Sequence, residues 1–210
     1  MAPPTPRTLD ISEAFRAGWR GFLANILPLI VVALLVWVVT GYLNFWAERT
    51  GGFIQFVLGL LAFFVGQVVA IVWISLALAV VDGQPITTDT LLPSGATLIS
   101  YIIASLLFSL MLGIGLVLLI IPGIIIAVTF GLFGWALVDK ALDPIEALRH
   151  SSRITSGHRW QLFGFLLLAI LLNIGGVLLL VVGVLVTSAV TLIAAGHIYR
   201  QLDGSLQSVV

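Results

Sequence analysis

The chain has 210 residues, of which 60% are hydrophobic and only 9% are charged, and its mean hydropathy is +1.22. Charged residues make up about a quarter of an ordinary soluble domain, so this composition excludes that class and indicates a polytopic membrane protein. The nine basic and nine acidic residues balance, which gives no reason to expect nucleic acid as a partner. Because the sequence has no cysteine, disulfides, thiolate metal sites and thiol nucleophiles are excluded.

Residues 1–9 are rich in proline and carry no apolar pattern, so they are predicted to be a flexible tail. A helix is predicted near 10–22, because Asp10 and Glu13 have the spacing of a capping box. Its arginines, Arg16 and Arg20, lie away from an apolar stripe with helical spacing, which consists of Ile11, Phe15, Trp19, Phe22 and Ile26. This pattern predicts an amphipathic helix at the membrane interface that leads into the first membrane span.

Long stretches without a charged residue set the number of membrane spans. Four such stretches cover residues 21–47, 50–81, 90–138 and 160–199. A helix needs about 20 residues to cross a hydrocarbon core about 30 Å thick, so the first two stretches hold one span each and the last two hold two each. The fourth and sixth spans are short, and the sequence leaves open whether they cross completely. The six predicted spans lie near 24–46, 53–80, 97–120, 123–139, 160–181 and 183–200.

Two glycine-containing turns are predicted between paired spans. The segment Ile121-Pro122-Gly123 predicts the turn between spans three and four, because proline lacks an N–H donor and glycine tolerates a positive φ. Gly183 has the corresponding place between spans five and six. When the fifteen residues from Ile114 are aligned with those from Ile174, six are identical, which suggests a repeated hydrophobic hairpin.

The segment 139–163 is the only substantial charged segment between two long uncharged stretches. Within it, Asp143 as N-cap, Pro144 at the first helical position and Glu146 predict the start of a helix. Gly157 predicts its end.

This second amphipathic helix, near 143–156, is expected to lie along the lipid headgroups with its cations toward phosphate. The alternative is a helical linker whose charges only keep it in water. The cations are Arg149, His150 and Arg153, and the weakly apolar opposite face consists of Ala147, Leu148, Ser151, Ile154 and Thr155.

The basic residues indicate how the chain is threaded. Six spans put both termini on one side of the membrane. If that side is the cytoplasm, Arg49 alone among the nine basic residues faces outward, as the positive-inside rule favours. The sequence therefore predicts a multi-pass protein of the plasma membrane with both termini in the cytoplasm. It has a single six-span membrane domain over 10–202, followed by a tail over 203–210.

The charge-free interiors of the spans argue against an ion-coupled transporter, which usually keeps ionisable groups inside the bilayer. Gln67 and Asn173 are the residues that a mid-membrane polar pocket would use if they face one another. Hydrogen bonding between neighbouring helices explains such residues as well.

No catalytic or metal site is predicted. The histidines at 150, 158 and 197 lack a metal-binding spacing, and His150 and His158 are interpreted as solvated residues of the interface. Ser188 and His197 are separated by about 13 Å along one helix, too far to pair as nucleophile and base. We expect no cofactor.

Four sequence blocks resemble the bacterial integral membrane proteins related to the membrane domain of some glycerophosphodiester phosphodiesterases. They cover nearly all of residues 10–202. The resemblance implies a six-span fold without the soluble hydrolase that some relatives append, and it carries over no catalytic residue. The blocks are DISEAFRAGWRGFLAN, LLIIPGIIIAV, WALVDKALDPIEALRHSSRITSGHRWQLFGFLLLAILLNIGG and GVLVTSAVTLIAAGHIYRQL.

The leading hypothesis is a non-enzymatic membrane scaffold or accessory subunit whose cytoplasmic basic residues bind lipid headgroups or a partner. Other membrane subunits or a second copy of the chain are further candidate partners. The alternative is a transporter or lipid-handling protein with a neutral cavity near Gln67 and Asn173. An enzyme is the least favoured class, because no nucleophile, base and orienting residue can be assembled. The candidate lipid- or partner-binding residues are Arg16, Arg20, Arg149, Arg153 and Arg159.

Overall fold

The computed structural model describes residues 9–178 and 180–207. Within these ranges the protein is helical and contains no strand, so the predicted all-α class is confirmed. The helices in chain order are α1 (Ile11–Ala24), α2 (Ile26–Arg49), α3 (Gly52–Val81), α4 (Thr88–Leu91), α5 (Gly95–Leu118), α6 (Ile120–Phe130), α7 (Phe133–Lys140), α8 (Pro144–Thr155), α9 (Arg159–Leu178) and α10 (Leu180–Gln207).

Six helical segments are long and apolar enough to cross a membrane, so the predicted six-span polytopic bundle is confirmed. The third segment combines α4 with α5, and the fourth combines α6 with α7. The 30 residues of α3 extend about 45 Å at the helical rise, so this helix must tilt or project beyond a hydrocarbon core of about 30 Å. The segments are Ile26–Arg49, Gly52–Val81, Thr88–Leu118, Ile120–Lys140, Arg159–Leu178 and Gly183–Gly204.

The spans alternate in direction, so their ends fall at two levels. Near the end of α10, Arg200 bonds both Asp82 after α3 and Asp139 in the last turn of α7. The N–H of Asp10, just before α1, donates to the side chain of Gln201. These contacts bring the start of α1 and the ends of α3, α7 and α10 together at what we call the charged end of the bundle. Arg49, the last residue of α2, lies at the opposite end.

Alanines at helix crossings hold the bundle together near the charged end. Ala77, Ala136, Ala147 and Ala194 are fully buried on α3, α7, α8 and α10. Lipid tails are as apolar as the side chains of the spans, so helices associate in a membrane through close packing, and a small side chain lets two backbones approach. By contrast, the α2–α3 hairpin exposes large apolar side chains along its outer half, as expected of a surface that faces lipid; examples are Trp37, Phe53 and Phe56.

The turn between α5 and α6 lies at Leu119, so its predicted position at Ile121-Pro122-Gly123 is wrong. Leu119 is extended, with φ −168° and ψ 149°, and α6 begins at the next residue. Pro122 therefore lies in the first turn of α6, where its missing N–H would have no helical partner. Gly123 permits close packing instead, since a Cβ there would lie 3.2 Å from the Cα of Leu116.

The predicted turn at Gly183 is also displaced. α9 ends at Leu178 and α10 begins at Leu180, so Gly183 lies inside α10, and the intervening residue 179 is outside the described residues. The end of α9 and the start of α10 each follow the end of α5 and the start of α6 by 60 residues, the offset of the sequence repeat. Gly176 serves close packing as Gly123 does, because a Cβ there would lie 2.9 Å from the carbonyl oxygen of Gly183.

The fourth span is broken between α6 and α7, and Ser151 of α8 bridges the break. Its hydroxyl donates to the carbonyl oxygen of Thr129 at 3.0 Å and accepts the N–H of Leu132 at 3.2 Å. The hydroxyl of Thr155 also donates to the Thr129 carbonyl, at 3.1 Å. α8 thus supplies hydrogen bonds that a continuous helix would make for itself.

Two amphipathic helices, α1 and α8, match the predicted ranges 10–22 and 143–156 closely. α1 begins at the charged end and packs along α10. The Asp10 side chain accepts the N–H of Glu13 at 2.9 Å, as predicted for an N-cap. Asp143 holds the N-cap position of α8 with Pro144 next, as predicted, although its side chain makes no capping hydrogen bond. Gly157, with φ +83°, follows the end of α8 as expected.

The structured domain extends beyond 10–202 at both ends. Leu9, assigned to the tail by sequence, is buried against the core. α10 continues to Gln207, where a tail was expected from 203, because Asp203 is held by Lys140 and His150. The rest of both predicted tails, residues 1–8 and 208–210, lies outside the described residues.

Candidate functional site

Arg200 links two carboxylates from different helices at the charged end. Its Nη1 and Nη2 donate to Asp139 at 2.8 and 2.7 Å, while its Nε and Nη2 donate to Asp82 at 3.0 and 2.6 Å. Both contacts are bidentate, the strongest geometry for a guanidinium with a carboxylate. The Tyr199 hydroxyl donates a further bond to Asp139 at 2.8 Å, so the neighbouring residue of α10 reinforces the same contact.

A second group of charges surrounds Asp203, three residues farther along α10. Oδ1 of Asp203 lies 2.8 Å from Nζ of Lys140 and 2.8 Å from Nε2 of His150. Asp203 is only 5% exposed, so its charge needs these partners inside the bundle. Together, Asp82, Asp139, Lys140, His150, Arg200 and Asp203 form what we call the charged cluster, which joins α3, α7, α8 and α10.

His150 is therefore buried, and its predicted place on the solvated cationic face of α8 is wrong. The helical period explains the error. His150 follows Ala147 by three residues and precedes Ile154 by four, so it shares their side of the helix. Both of those residues are buried. Arg149 and Arg153 lie on the other side and are exposed, as predicted.

The arginines proposed as binding residues form a second class of cation. All five are exposed, and none makes an ion pair within residues 9–178 and 180–207. Arg149 and Arg153 are brought together on α8, whereas the other three lie elsewhere. Two of these are on α1 and one is at the start of α9, namely Arg16, Arg20 and Arg159.

Two adjacent grooves lie beside the exposed face of α8. One has a volume of about 490 Å³ and is lined by Phe130 of α6 together with Ser152 and Arg153. The other has about 510 Å³ and is lined by residues of α5 and the start of α8, which are Ile103, Leu107, Asp143, Pro144 and Ile145. Glu146 and Arg149 line both grooves. Two hollows with partly apolar walls therefore follow one another along the exposed face of α8 and share these two polar residues.

Gln67 and Asn173 are each used in a different pair of helices. Gln67 of α3 accepts a hydrogen bond from Ser105 of α5 at 3.0 Å. The amide of Asn173 on α9 donates to Thr191 at 2.9 Å and accepts from Thr187 at 3.2 Å, both on α10. These bonds join neighbouring helices, as polar groups in membrane bundles do. A common pocket between Gln67 and Asn173 stays a prediction.

Sequence reasoning missed the carboxylates of the charged cluster, because the positive-inside rule counts only basic residues. A signal for them is nevertheless present. Asp82 and Asp139 each directly follow a charge-free stretch, and Asp203 follows another by a few residues, all at the same end of the predicted bundle. The three carboxylates converge because of the tilt and packing of their helices, which cannot be derived from residue spacing in the sequence.

A smaller hollow of about 260 Å³ adjoins the charged cluster and is lined in part by Ser75, Gln84 and Thr90. Within the described ranges, no three His, Cys, Asp or Glu side chains are grouped to hold a metal ion. In comparisons with protein-family models, curated proteins and solved structures, nothing matches this chain. The sites described here therefore provide the basis for a functional proposal.

Proposed function

We propose that this multi-pass membrane protein is a non-enzymatic scaffold or accessory subunit that binds the phosphate groups of lipid headgroups through arginines of α1 and α8. The supporting observation is the division of its cations into two classes. Arg200, Lys140 and His150 face carboxylates inside the bundle. The arginines at the surface make no ion pair among the described residues and are free to bind phosphate, for which a guanidinium is well suited; they are Arg16, Arg20, Arg149 and Arg153.

The proposal includes the side of the membrane. The positive-inside bias favours a cytoplasmic location for the charged end, and the resemblance noted in the sequence favours a bacterial plasma membrane. Basic residues close to such a surface gain about 1 kcal/mol each from the negative lipid potential. Four arginines on two helices that are also packed into the bundle would fix the charged end at the level of the headgroups.

The test replaces Arg16, Arg20, Arg149 and Arg153 together with glutamine. The protein is extracted from native membranes in mild detergent, and retained phospholipid is counted by native mass spectrometry. We expect the number of bound phospholipids to fall, because each lost guanidinium removes a phosphate contact. The matched control replaces the same four residues with lysine, which keeps the charge and should keep most of the lipid.

Unchanged phospholipid retention in the glutamine variant would overturn this proposal. If a copurifying protein were lost at the same time, the arginines would be assigned to a protein partner. Transport through a neutral cavity near Gln67 and Asn173 remains the alternative. It has less support, because interhelical hydrogen bonds already occupy both side chains, and solute uptake into reconstituted vesicles would test it.

A further inference from the structure

The exposed face of α8 carries a mixed-charge ridge. Asp143, Glu146, Arg149 and Arg153 follow one another at spacings of three, three and four residues, which places them along one side of the helix. All four are exposed. The opposite side of α8 is buried and hydrogen-bonded to the break between α6 and α7, so the ridge is held in a fixed orientation.

The charges of this ridge are left unpaired. No ion pair joins its two carboxylates to its two guanidinium groups, or any of the four to another residue that the structure describes. Formal charge on the ridge is zero, with the acidic residues at the start of α8 and the basic residues toward its end. The ligand that complements such a surface carries an anion and a cation next to each other.

The grooves along the ridge indicate the rest of the ligand. Ile103 and Leu107 of α5 form an apolar wall of the groove near the start of α8, and Phe130 of α6 lines the groove nearer its end. Glu146 and Arg149 border both hollows. A molecule with two apolar chains and one polar head can place its head on the ridge and one chain in each groove.

We propose that this face of α8 binds a zwitterionic phospholipid whose headgroup carries a phosphate and a primary ammonium, with the phosphate on Arg149 and Arg153 and the ammonium on Asp143 and Glu146. This inference rests on the proposed function and names the lipid class for one of its two helices. Arginine binds phosphate in a bidentate manner, and an ammonium with N–H donors satisfies the carboxylates. An anionic headgroup without an ammonium would leave both carboxylates unpaired beside its own negative charge.

The experiment measures lipid selectivity by native mass spectrometry. The delipidated protein receives phosphatidylethanolamine, phosphatidylglycerol or phosphatidylcholine at equal concentration. We expect wild-type protein to retain phosphatidylethanolamine roughly tenfold better than phosphatidylglycerol. The ammonium adds one charge-assisted hydrogen bond to a carboxylate, and such a bond changes affinity by about tenfold. Phosphatidylcholine should bind less well than phosphatidylethanolamine, since its trimethylammonium group has no N–H to donate.

Two double variants separate the roles of the charges. The Asp143→Asn and Glu146→Gln variant should bind the ethanolamine and glycerol lipids equally, because the phosphate contacts remain. The Arg149→Gln and Arg153→Gln variant should retain less of both lipids, leaving what the arginines of α1 bind. The Arg49→Gln variant, at the opposite end of the bundle, is the control and should keep both the amount of lipid and the wild-type preference.

The outcomes distinguish this inference from the proposed function. If wild-type protein prefers phosphatidylglycerol, or if the Asp143→Asn and Glu146→Gln variant keeps the ethanolamine preference, the zwitterionic site is wrong while arginine-dependent lipid binding stands. If lipid retention depends on none of the four arginines, the proposed function itself fails. All substituted side chains are exposed, and unchanged thermal unfolding will show that the variants retain the fold.

Discussion

Arg200 and Asp82 are 118 residues apart in the chain, yet they make two parallel hydrogen bonds of 3.0 and 2.6 Å. The same guanidinium binds Asp139, so one side chain joins the ends of three helices. We predict that Arg200→Gln lowers the free energy of unfolding by about 1–3 kcal/mol, since hydrogen bonds to charged groups contribute that much and partial exposure reduces the Coulomb gain. Thermal unfolding in detergent, followed by circular dichroism, measures the loss.

Arg49→Gln is the control for this prediction. Arg49 lies at the opposite end of the bundle, where its guanidinium stacks over the ring of Phe45 and makes no ion pair among the described residues. Its loss should change stability less. An equal decrease in both variants would show that the contacts of Arg200 have no special role in joining the helices.

A second prediction concerns the contact between α1 and α10. A Cβ on Gly18 would lie 2.5 Å from the carbonyl oxygen of Val190, closer than packed atoms approach, so Gly18→Ala must push the two helices apart. In a helix interior, alanine is otherwise favoured over glycine by about 1 kcal/mol. We therefore expect Gly18→Ala to destabilise the protein and to make α1 more sensitive to protease, even though the substitution favours the helix itself.

Gly66 of α3 provides the matched substitution. It is also inside a helix, and a Cβ there would meet nothing within 4 Å. Gly66→Ala should therefore leave stability unchanged or raise it. If the two variants behave alike, the close approach of α1 to α10 is not required for the fold.

A third prediction follows from the N-cap of α1. The Glu13 N–H and the Ser12 hydroxyl both donate to Asp10 and lower the pKa of its carboxyl below the ordinary 3.8. A carboxyl with a lowered folded-state pKa stabilises the fold above its ordinary pKa, and that stabilisation is lost as the pH falls below 3.8 through the folded-state value. We expect hydrogen-exchange protection of the first turn of α1 to decrease over that range. In Asp10→Asn, which caps equally well without titrating, the decrease should be absent.

The number of membrane spans could be read from the sequence, because crossing hydrocarbon imposes a minimum length and excludes charge. The positions of Asp82, Asp139 and Lys140 at helix ends follow from the same constraint. The identity of the residues that bind them does not follow from this constraint. Arg200 reaches two carboxylates only because α3, α7 and α10 converge at the charged end, and convergence depends on tilt and packing.

The helix breaks show a second limit of sequence reasoning. Pro122 and Gly183 are strong turn signals in isolation, but each lies a few residues inside a helix. Proline costs nothing in the first turn, and the carbonyl oxygen of Gly183 approaches Gly176 closely. Leu119, which forms the turn, carries no such signal. At the break after α6, the hydroxyl of Ser151 makes the bridging hydrogen bonds. Ser151 is distant in sequence and belongs to α8, which the sequence predicted only as a helix at the membrane interface.

A fourth prediction tests the polar contacts between α9 and α10. Asn173→Leu removes hydrogen bonds to Thr187 and Thr191, which in a membrane bundle contribute about 0.6–2 kcal/mol each. Unfolding in detergent should occur at a lower temperature. Asn44→Leu is the control, because Asn44 of α2 is exposed and has no interhelical hydrogen bond among the described residues. A stabilised Asn173→Leu variant would contradict the role assigned to these bonds.

A fifth prediction concerns the threading, which the absence of native cysteine makes simple to measure. Ser156 after α8 and Gly204 near the end of α10 are exposed at the charged end, whereas Gly51 is exposed between α2 and α3. In intact bacterial cells, a membrane-impermeant maleimide should label Gly51→Cys but not Ser156→Cys or Gly204→Cys. Six spans put the last two residues on one side of the membrane, and the positive-inside rule predicts that this side is cytoplasmic. If both Ser156→Cys and Gly204→Cys are labelled from outside, the predicted orientation and the proposed cytoplasmic lipid site are wrong. If only one of them is labelled, the six-span arrangement is contradicted.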